Sequence, residues 1–356
     1  MTATNIAPPA PLPITRRPRN LIWRVLVLSL LALSGAYALS VGGFLLLRLL
    51  TGERWFIIAL FTSIVHLMVL PSLILLPLVL IFGRGWLRWV VALELVPVVM
   101  VTLFWYVPDF LPKNVAAVGD APVLTILSYN ITSERTDMNA VAAVIRKTDA
   151  DVVALQKVDT RSGERLIALL EDAYPHNATA LDEDPLRGHL LFSRYPILSD
   201  EAFANRQGKL HQRVEIDFDG QAVVVYNLHI FYPFVGNGFA YRAEDVQEVM
   251  ARAEAETLPT ILAGDFNLTP QTADYARIRR TFSDAHREAG QGLGFTFGPR
   301  EGIGRFFPWF RVALPIARID FVFYRDGLRA LASQVIPDSA ESGHYPLLAR
   351  FALEQP

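Results

Sequence analysis

Gly264-Asp265-Phe266-Asn267 follows the apolar run Thr260-Ile261-Leu262-Ala263, which reads as a buried strand. A carboxylate and an amide therefore stand together where a strand gives way to a loop, the place where rigid sheets present reactive groups. Asp265 can accept a proton or orient a water, and Asn267 can donate to a phosphate oxygen. Alone, the tetrapeptide is equally consistent with a turn. Other polar residues end strand-like runs in the same way. Asn130 follows Val123–Tyr129, and Gln156 and Lys157 follow Asp151–Leu155. His229 closes Tyr226-Asn227-Leu228-His229, Asp320 lies in Arg318-Ile319-Asp320-Phe321, and His344 lies in Ser342-Gly343-His344-Tyr345-Pro346. Singly, each has a structural explanation: Asn130 capping a turn, His229 satisfied in the core, Asp320 paired with Arg318. Together they form the pattern of an active site drawn from several strand termini.

The elements that must position these groups occupy residues 123–356. Val214–Phe218 alternates, Asp219-Gly220 turns, and Val223–Leu228 runs back, which predicts a hairpin. Met138, Val141 and Ile145 share one helical face, as do Val246, Val249, Met250 and Ala253. Ile319–Tyr324 and Tyr345–Phe351 read as further strands. Hairpins mixed with crossover helices indicate an α/β domain with mixed sheets.

The rest of the chain differs in character. Of 356 residues 52% are hydrophobic, too many for one soluble domain, and the excess lies in the first third. Residues 1–20 form a Pro-rich basic tail with the composition of a disordered segment. Three apolar stretches follow within 21–108: Trp23–Leu50, Trp55–Phe82 and Trp89–Val107. A membrane-crossing helix needs ~20 apolar residues. The first stretch is too long for a signal-peptide core and two more follow it, so it reads as an anchor. Arg16, Arg17, Arg19 and Arg24 precede or enter the first stretch, and Arg84 and Arg88 follow the second. Positive-inside reasoning then predicts a cytoplasmic N-terminus, a multi-pass location in the cytoplasmic or inner membrane, and a C-terminal domain outside the cytoplasm. A linker over 109–122 tethers that domain. His66 and Glu94 lie inside apolar stretches, where ionisable groups are functional candidates or hydrogen-bond partners between helices. A net charge of −2 offers no overall attraction to nucleic acid. The absence of cysteine excludes disulfides, thiol nucleophiles and thiolate metal sites.

Asn130, Leu155-Gln156, Asn227-Leu228-His229, Gly264-Asp265-Phe266-Asn267, Arg318-Ile319-Asp320 and His344-Tyr345-Pro346 occur in one order, and by these the domain resembles the endonuclease/exonuclease/phosphatase superfamily. The resemblance implies a four-layer α/β/β/α sandwich of two mixed sheets and cleavage of phosphoester bonds, usually with Mg²⁺. It implies that His344 handles the nucleophilic water, Asp320 orients His344, and His229 donates to phosphoryl oxygens. Asp265 and Asn267 would position nucleophile and phosphate, and Asn130 would stand beside the metal.

Two positions depart from that pattern. Lys157 occupies the place of the family's main carboxylate ligand, and Gly343 that of an aspartate near the metal. Mg²⁺ takes oxygen ligands, one or two of them carboxylates. Lys157 could act instead as a point charge on the substrate phosphate, beside Asn130 and Asn267. Should a metal still bind, Asn130, Glu134 and Asp320 are the remaining oxygen candidates. Phe231-Tyr232-Pro233-Phe234 and Phe306-Phe307-Pro308-Trp309-Phe310 flank the site and would suit lipid contact if exposed. Three classes of function fit: an extracytoplasmic phosphoesterase acting on a lipid-linked or small phosphate, a non-catalytic membrane subunit or scaffold within a protein complex, and a secreted-side nuclease. The last lacks a basic groove in the sequence.

Overall fold

The computed structural model describes residues 19–113, 121–184, 186–234, 236–298 and 315–353. The basic tail, the centre of the linker and the Phe306–Phe310 stretch lie outside these residues. The chain divides into two compact units, one built from residues up to Leu47 with Leu67–Leu103, the other from Arg48–His66 with Phe104 onward.

The first unit is helical. α1 (Arg19–Thr51) and α5 (Leu87–Phe110) are single long helices. The apolar stretch Trp55–Phe82 is not one helix. It breaks into α2 (Phe56–Ser63), which falls in the second unit, α3 (Val65–Val69) and α4 (Ser72–Phe82). Pro71 explains the second break, because it has no N–H for the helix ladder and its ring crowds the preceding turn. Three segments are long and apolar enough to cross a membrane: Leu21–Thr51, Val65–Phe82 and Leu87–Phe110. Within this unit Val27, Leu31, Val79, Val91 and Leu95 pack together. Glu94 reaches α1, where its Oε2 lies 3.4 Å from the position a Cβ on Gly35 would take. The small residue there leaves room for the carboxylate beside α1.

The second unit carries two six-stranded mixed sheets. The first has the order β11-β12-β1-β2-β4-β3, from β1 (Val123–Asn130), β2 (Val152–Gln156), β3 (His176–Ala180), β4 (His189–Ser193), β11 (Leu328–Val335) and β12 (Leu347–Leu353). The second has the order β5-β6-β7-β8-β10-β9, from β5 (Ile197–Ala204), β6 (Leu210–Phe218), β7 (Gln221–His229), β8 (Thr260–Asp265), β9 (Ser283–Asp284) and β10 (Asp320–Arg325). β1 pairs with β2 in parallel and with β12 antiparallel, while β7 and β8 are parallel. Inner-face residues such as Ile126, Ala154, Val214, Val225, Ala263, Val322 and Phe351 form a core shared by both sheets. α6 (Met138–Thr148) and α7 (Thr160–Leu170) cover the outer face of the first sheet, with Val141, Ile145 and Leu166 buried. α8 (Gly238–Glu254) and α9 (Ala273–Ile278) cover the second through Val246, Val249, Met250 and Tyr275. The result is the four-layer α/β/β/α sandwich. Each fully buried large apolar side chain contributes roughly 1.5–3 kcal/mol, before the entropy it costs to order.

Register brings the functional strand ends together. Asn130 lies opposite Gln156 across β1–β2, and His229 opposite Asp265 across β7–β8. Asp320 opposes Asp265 across β8–β10. Gly264 permits this convergence, since a Cβ there would meet the Leu228 carbonyl oxygen at 1.9 Å.

Candidate active site

Six of the residues picked out by type and spacing meet at one edge of the sandwich. Asn130 donates from Nδ2 to Asp265 Oδ2 at 2.8 Å, and its Nδ2 also lies 3.4 Å from His344 Nε2. His344 Nδ1 lies 3.0 Å from Asp320 Oδ2 and 3.2 Å from Oδ1. His229 Nε2 and His344 Nε2 are each 3.7 Å from Asp265 Oδ2. The Asn267 backbone N–H donates to Asp265 Oδ1 at 2.9 Å. Asn130, Asp265, His229, Asp320 and His344 are all buried. Lys157 is half-buried at the end of β2, close enough for its charge to act on Asp265, His229 and His344. Asp320 does not pair with Arg318. That guanidinium binds Asp284 instead, which leaves Asp320 to the histidine.

The surroundings of His344 select one tautomer. Nδ1 faces a carboxylate and must carry the proton, while Nε2 faces the Asn130 amide donor and must present a lone pair. A carboxylate behind an imidazole fixes its tautomer and stabilises its cation. Burial opposes protonation of His344, but Asp320 and Asp265 outweigh it and lift its pKa above the ordinary value. Burial raises Asp265, against the pull of His344 and with the push of Asp320. His229 is held well below its ordinary value by burial, then by Lys209 and Lys157, so it is neutral at pH 7.

Several positioning residues escaped sequence reasoning. Thr296 Oγ1 donates to Asp320 Oδ2 at 2.5 Å and accepts from the Asp320 backbone N–H at 3.2 Å. Phe297 packs edge-on against the His344 ring, 5.2 Å between centroids. Ser342 donates to the Asn130 carbonyl at 2.7 Å and accepts from the His344 N–H at 3.1 Å, which ties β1 to the histidine. Buried Arg242 binds Asp274 at 2.9 Å and donates to the Asn267 carbonyl at 3.0 Å. Gln156 is not a site residue but a tie between sheets: its Nε2 donates to Asn227 Oδ1 at 2.8 Å, and Asn227 Nδ2 donates to the Leu155 carbonyl at 3.0 Å. Lys209, just before β6, is pushed down to about 8 by burial and then by the Lys157 charge, and its Nζ donates to the Leu186 carbonyl at 3.0 Å. Thr296, Phe297, Arg242 and Lys209 belong to no motif, and only tertiary contact reveals them.

Backbone strain gathers at the same edge. Thr132, Lys157 and Asn267 adopt left-handed φ of 47°, 58° and 50°, each within two residues of a functional strand end. Such conformations cost of order 1–3 kcal/mol each and persist where surrounding structure enforces them. Ser133 N–H to Lys157 carbonyl at 3.1 Å is one such enforcement.

Asp265, Asp320 and His344 each offer one ligand atom within 4.8 Å of the others, a group able to hold a metal ion. Both carboxylates are already engaged: Asp265 accepts from Asn130 and Asn267, and Asp320 from Thr296 while it faces His344. Glu134, a candidate oxygen ligand in the sequence, lies exposed in a short 3₁₀ turn and is not in this group.

Among solved structures, the endonuclease/exonuclease/phosphatase from Beutenbergia cavernae DSM 12333 superposes with a TM-score of 0.52 at 22% identity, covering 65% of this chain and 72% of its own. The endonuclease/exonuclease/phosphatase from Bacteroides vulgatus gives 0.53 at 20% identity, covering 65% and 100%. A functionally unknown conserved protein from Enterococcus faecalis V583 gives 0.53 at 18% identity, covering 65% and 100%. These likenesses establish a shared fold. No curated protein sequence matches the chain. The profile of the endonuclease/exonuclease/phosphatase family matches residues 127–344, more than half of the chain and all of the site from Asn130 to His344. The chain belongs to the endonuclease/exonuclease/phosphatase family.

Proposed function

We propose that the protein is a membrane-anchored phosphoesterase whose α/β domain works outside the cytoplasm on a lipid-linked or small phosphate. The observation that carries this reading is the chain Asp320–His344–(Asn130)–Asp265, which leaves a lone pair on His344 Nε2 beside a second carboxylate. His344 takes a proton from the attacking water while Asp320 steadies the resulting imidazolium. In this reading neutral His229 and the Asn267 amide, one N–H of which donates to the Ile230 carbonyl at 2.8 Å, donate to phosphoryl oxygens as charge develops. The arginine distribution and the three long apolar helices support the location.

Lys157 and Gly343 set this chain apart from the family pattern. Lys157 and Gly343 offer no carboxylate where the family pattern has two, so these positions do not fit a Mg²⁺ ion held as that pattern would hold it, and Asp265, Asp320 and His344 are the group left that could hold one. Lys157, whose charge acts on Asp265, supplies positive charge near the phosphate instead. The same two substitutions favour a second reading, a non-catalytic membrane subunit on this fold. Nucleic acid is a poor fit to a chain of net charge −2.

Hydrolysis of a chromogenic phosphodiester and of a phosphomonoester by the purified full chain tests the reading. Turnover of either supports the hydrolase, and none of either, in protein that is folded, leaves the scaffold. A phosphatase reporter fused after Pro356 should be active only outside the cytoplasm. An inactive reporter overturns the orientation.

A further inference from the structure

The connection between the first two apolar segments is part of the second unit, and it borders an open pocket that the catalytic reading does not use. Its volume is about 380 Å³, and Arg48, Glu53, Trp105, Gln271, Thr272 and Arg287 line it. Arg48 belongs to the last turn of α1, and Trp105 lies near the end of α5. If those helices span a bilayer, the cavity lies at the depth where lipid headgroups meet water, the level favoured by Trp and snorkelling Arg.

The donors around the cavity are incompletely used. Arg48 Nη2 donates to the Gln271 carbonyl, and the guanidinium stands 3.9 Å from Glu53, yet its buried Nε has no partner. Glu53 Oε1 accepts from the Ala273 N–H at 2.8 Å. The Arg287 side chain makes no ion pair or hydrogen bond among the described residues, although its backbone N–H contacts Asp284. A buried N–H without an acceptor is costly, and an arginine pair beside it suits a phosphate. Among the lining side chains two guanidiniums accompany one carboxylate, while Asp109 acts on Arg287 from outside the lining, so an anionic phosphate would compete with Asp109 for Arg287. Burial also holds the Glu53 carboxyl above its usual range, against its bond to Ala273 and the nearby Arg242 and Arg48, which weakens its repulsion of an anion.

We infer that this cavity binds the phosphate of an anionic phospholipid from the surrounding bilayer, with Arg48 and Arg287 as its ligands, separately from the catalytic centre. The site has a built-in link to that centre. Gln271 lies on the loop between β8 and α9 that also carries Asn267, Ala273 opens α9, and the headgroup would complete the anchoring that Arg48 and Glu53 begin. The inference does not depend on the chain being an active hydrolase.

The test uses the full chain purified in detergent and exchanged into bilayer nanodiscs of phosphatidylcholine with or without phosphatidylglycerol, with retained lipid read by native mass spectrometry. Wild type should keep one phosphatidylglycerol per chain in preference to phosphatidylcholine. Arg287→Gln should cut retention about tenfold or more, the scale of one lost charge-assisted hydrogen bond. Because the Arg287 side chain bonds to nothing else described, this variant keeps the fold even if Arg48→Gln does not. His344→Ala should retain the lipid fully, which separates this site from the catalytic one. Equal retention of both lipids, or undiminished retention in Arg287→Gln, would overturn the proposal. Displacement of the lipid by millimolar inorganic phosphate would also overturn it, in favour of a free-anion site.

Discussion

Two sides of the candidate site have been treated differently. On one, Asp320, His344, Asn130 and Asp265 form a continuous hydrogen-bonded chain, backed by Thr296, Phe297 and Ser342. On the other, Lys157 and Gly343 supply no carboxylate, and among the described residues no side-chain bond holds Lys157. Proton handling needs fixed geometry, because a base must meet its proton within hydrogen-bond reach. A point charge needs only nearness. Decay of an unused site would loosen both sides alike, whereas here the histidine is held by Asp320, Thr296, Phe297 and Ser342.

The largest effect expected is on the histidine side. His344→Ala should lower turnover by about 10²–10⁴-fold, the usual contribution of a general base. Asp320→Asn should cost a comparable amount, up to about 10⁴-fold, since the amide spoils the tautomer while the fold stays intact. Steady-state kinetics on both variants, with circular dichroism to confirm folding, checks the pair. If His344→Ala turned over like wild type, the more ordered side would not be the working side.

Lys157→Ala probes the other side. Loss of a charge-assisted contact to phosphate should reduce kcat/KM by about 10–10²-fold, with no change in a scaffold. Lys157→Glu combined with Gly343→Asp should create a Mg²⁺ requirement, read as turnover that appears only on titration with the ion. The φ of Gly343 is not positive, so the backbone accepts an aspartate. Indifference of that double variant to Mg²⁺ would show that these two positions do not define a metal site.

A smaller effect concerns pH. His344 must be neutral to act as a base, and its folded pKa is raised from 6.5. The rate should therefore fall as pH drops through a value above 6.5, and the acid limb should move when Asp320 is changed. In stability the sign is opposite. The protonated ring bound by Asp320 and Asp265 contributes stability that is fully present below the unfolded pKa of about 6.5 and is lost as pH rises through the folded value. A pH–rate profile and thermal melts across the same range read the two trends.

The sequence told most where chemistry and period coincided. Asp265, Asn267, His229 and His344 announced themselves because polar residues at the ends of apolar runs are conspicuous, and the β6–β7 hairpin followed from alternation and Asp219-Gly220. β3 and β5 passed unseen, because they carry few apolar residues: His176-Asn177-Ala178-Thr179-Ala180 and the mostly exposed Ile197–Ala204. The break of the second apolar stretch at Pro71 was masked by hydropathy that runs straight through it. Thr296, Ser342 and Arg242 were illegible for a different reason. A threonine, a serine and a helical arginine are ordinary residues until the fold sets them against Asp320, Asn130 and Asn267.

The most direct measurement follows phosphate ester hydrolysis by the purified full chain in EDTA and again with added Mg²⁺. The account predicts turnover in EDTA, little change on adding Mg²⁺, and loss of that turnover in His344→Ala. Turnover abolished by EDTA and restored by Mg²⁺ in the unmodified chain would contradict it, and would make the Asp265–Asp320–His344 group an ordinary metal site of the family.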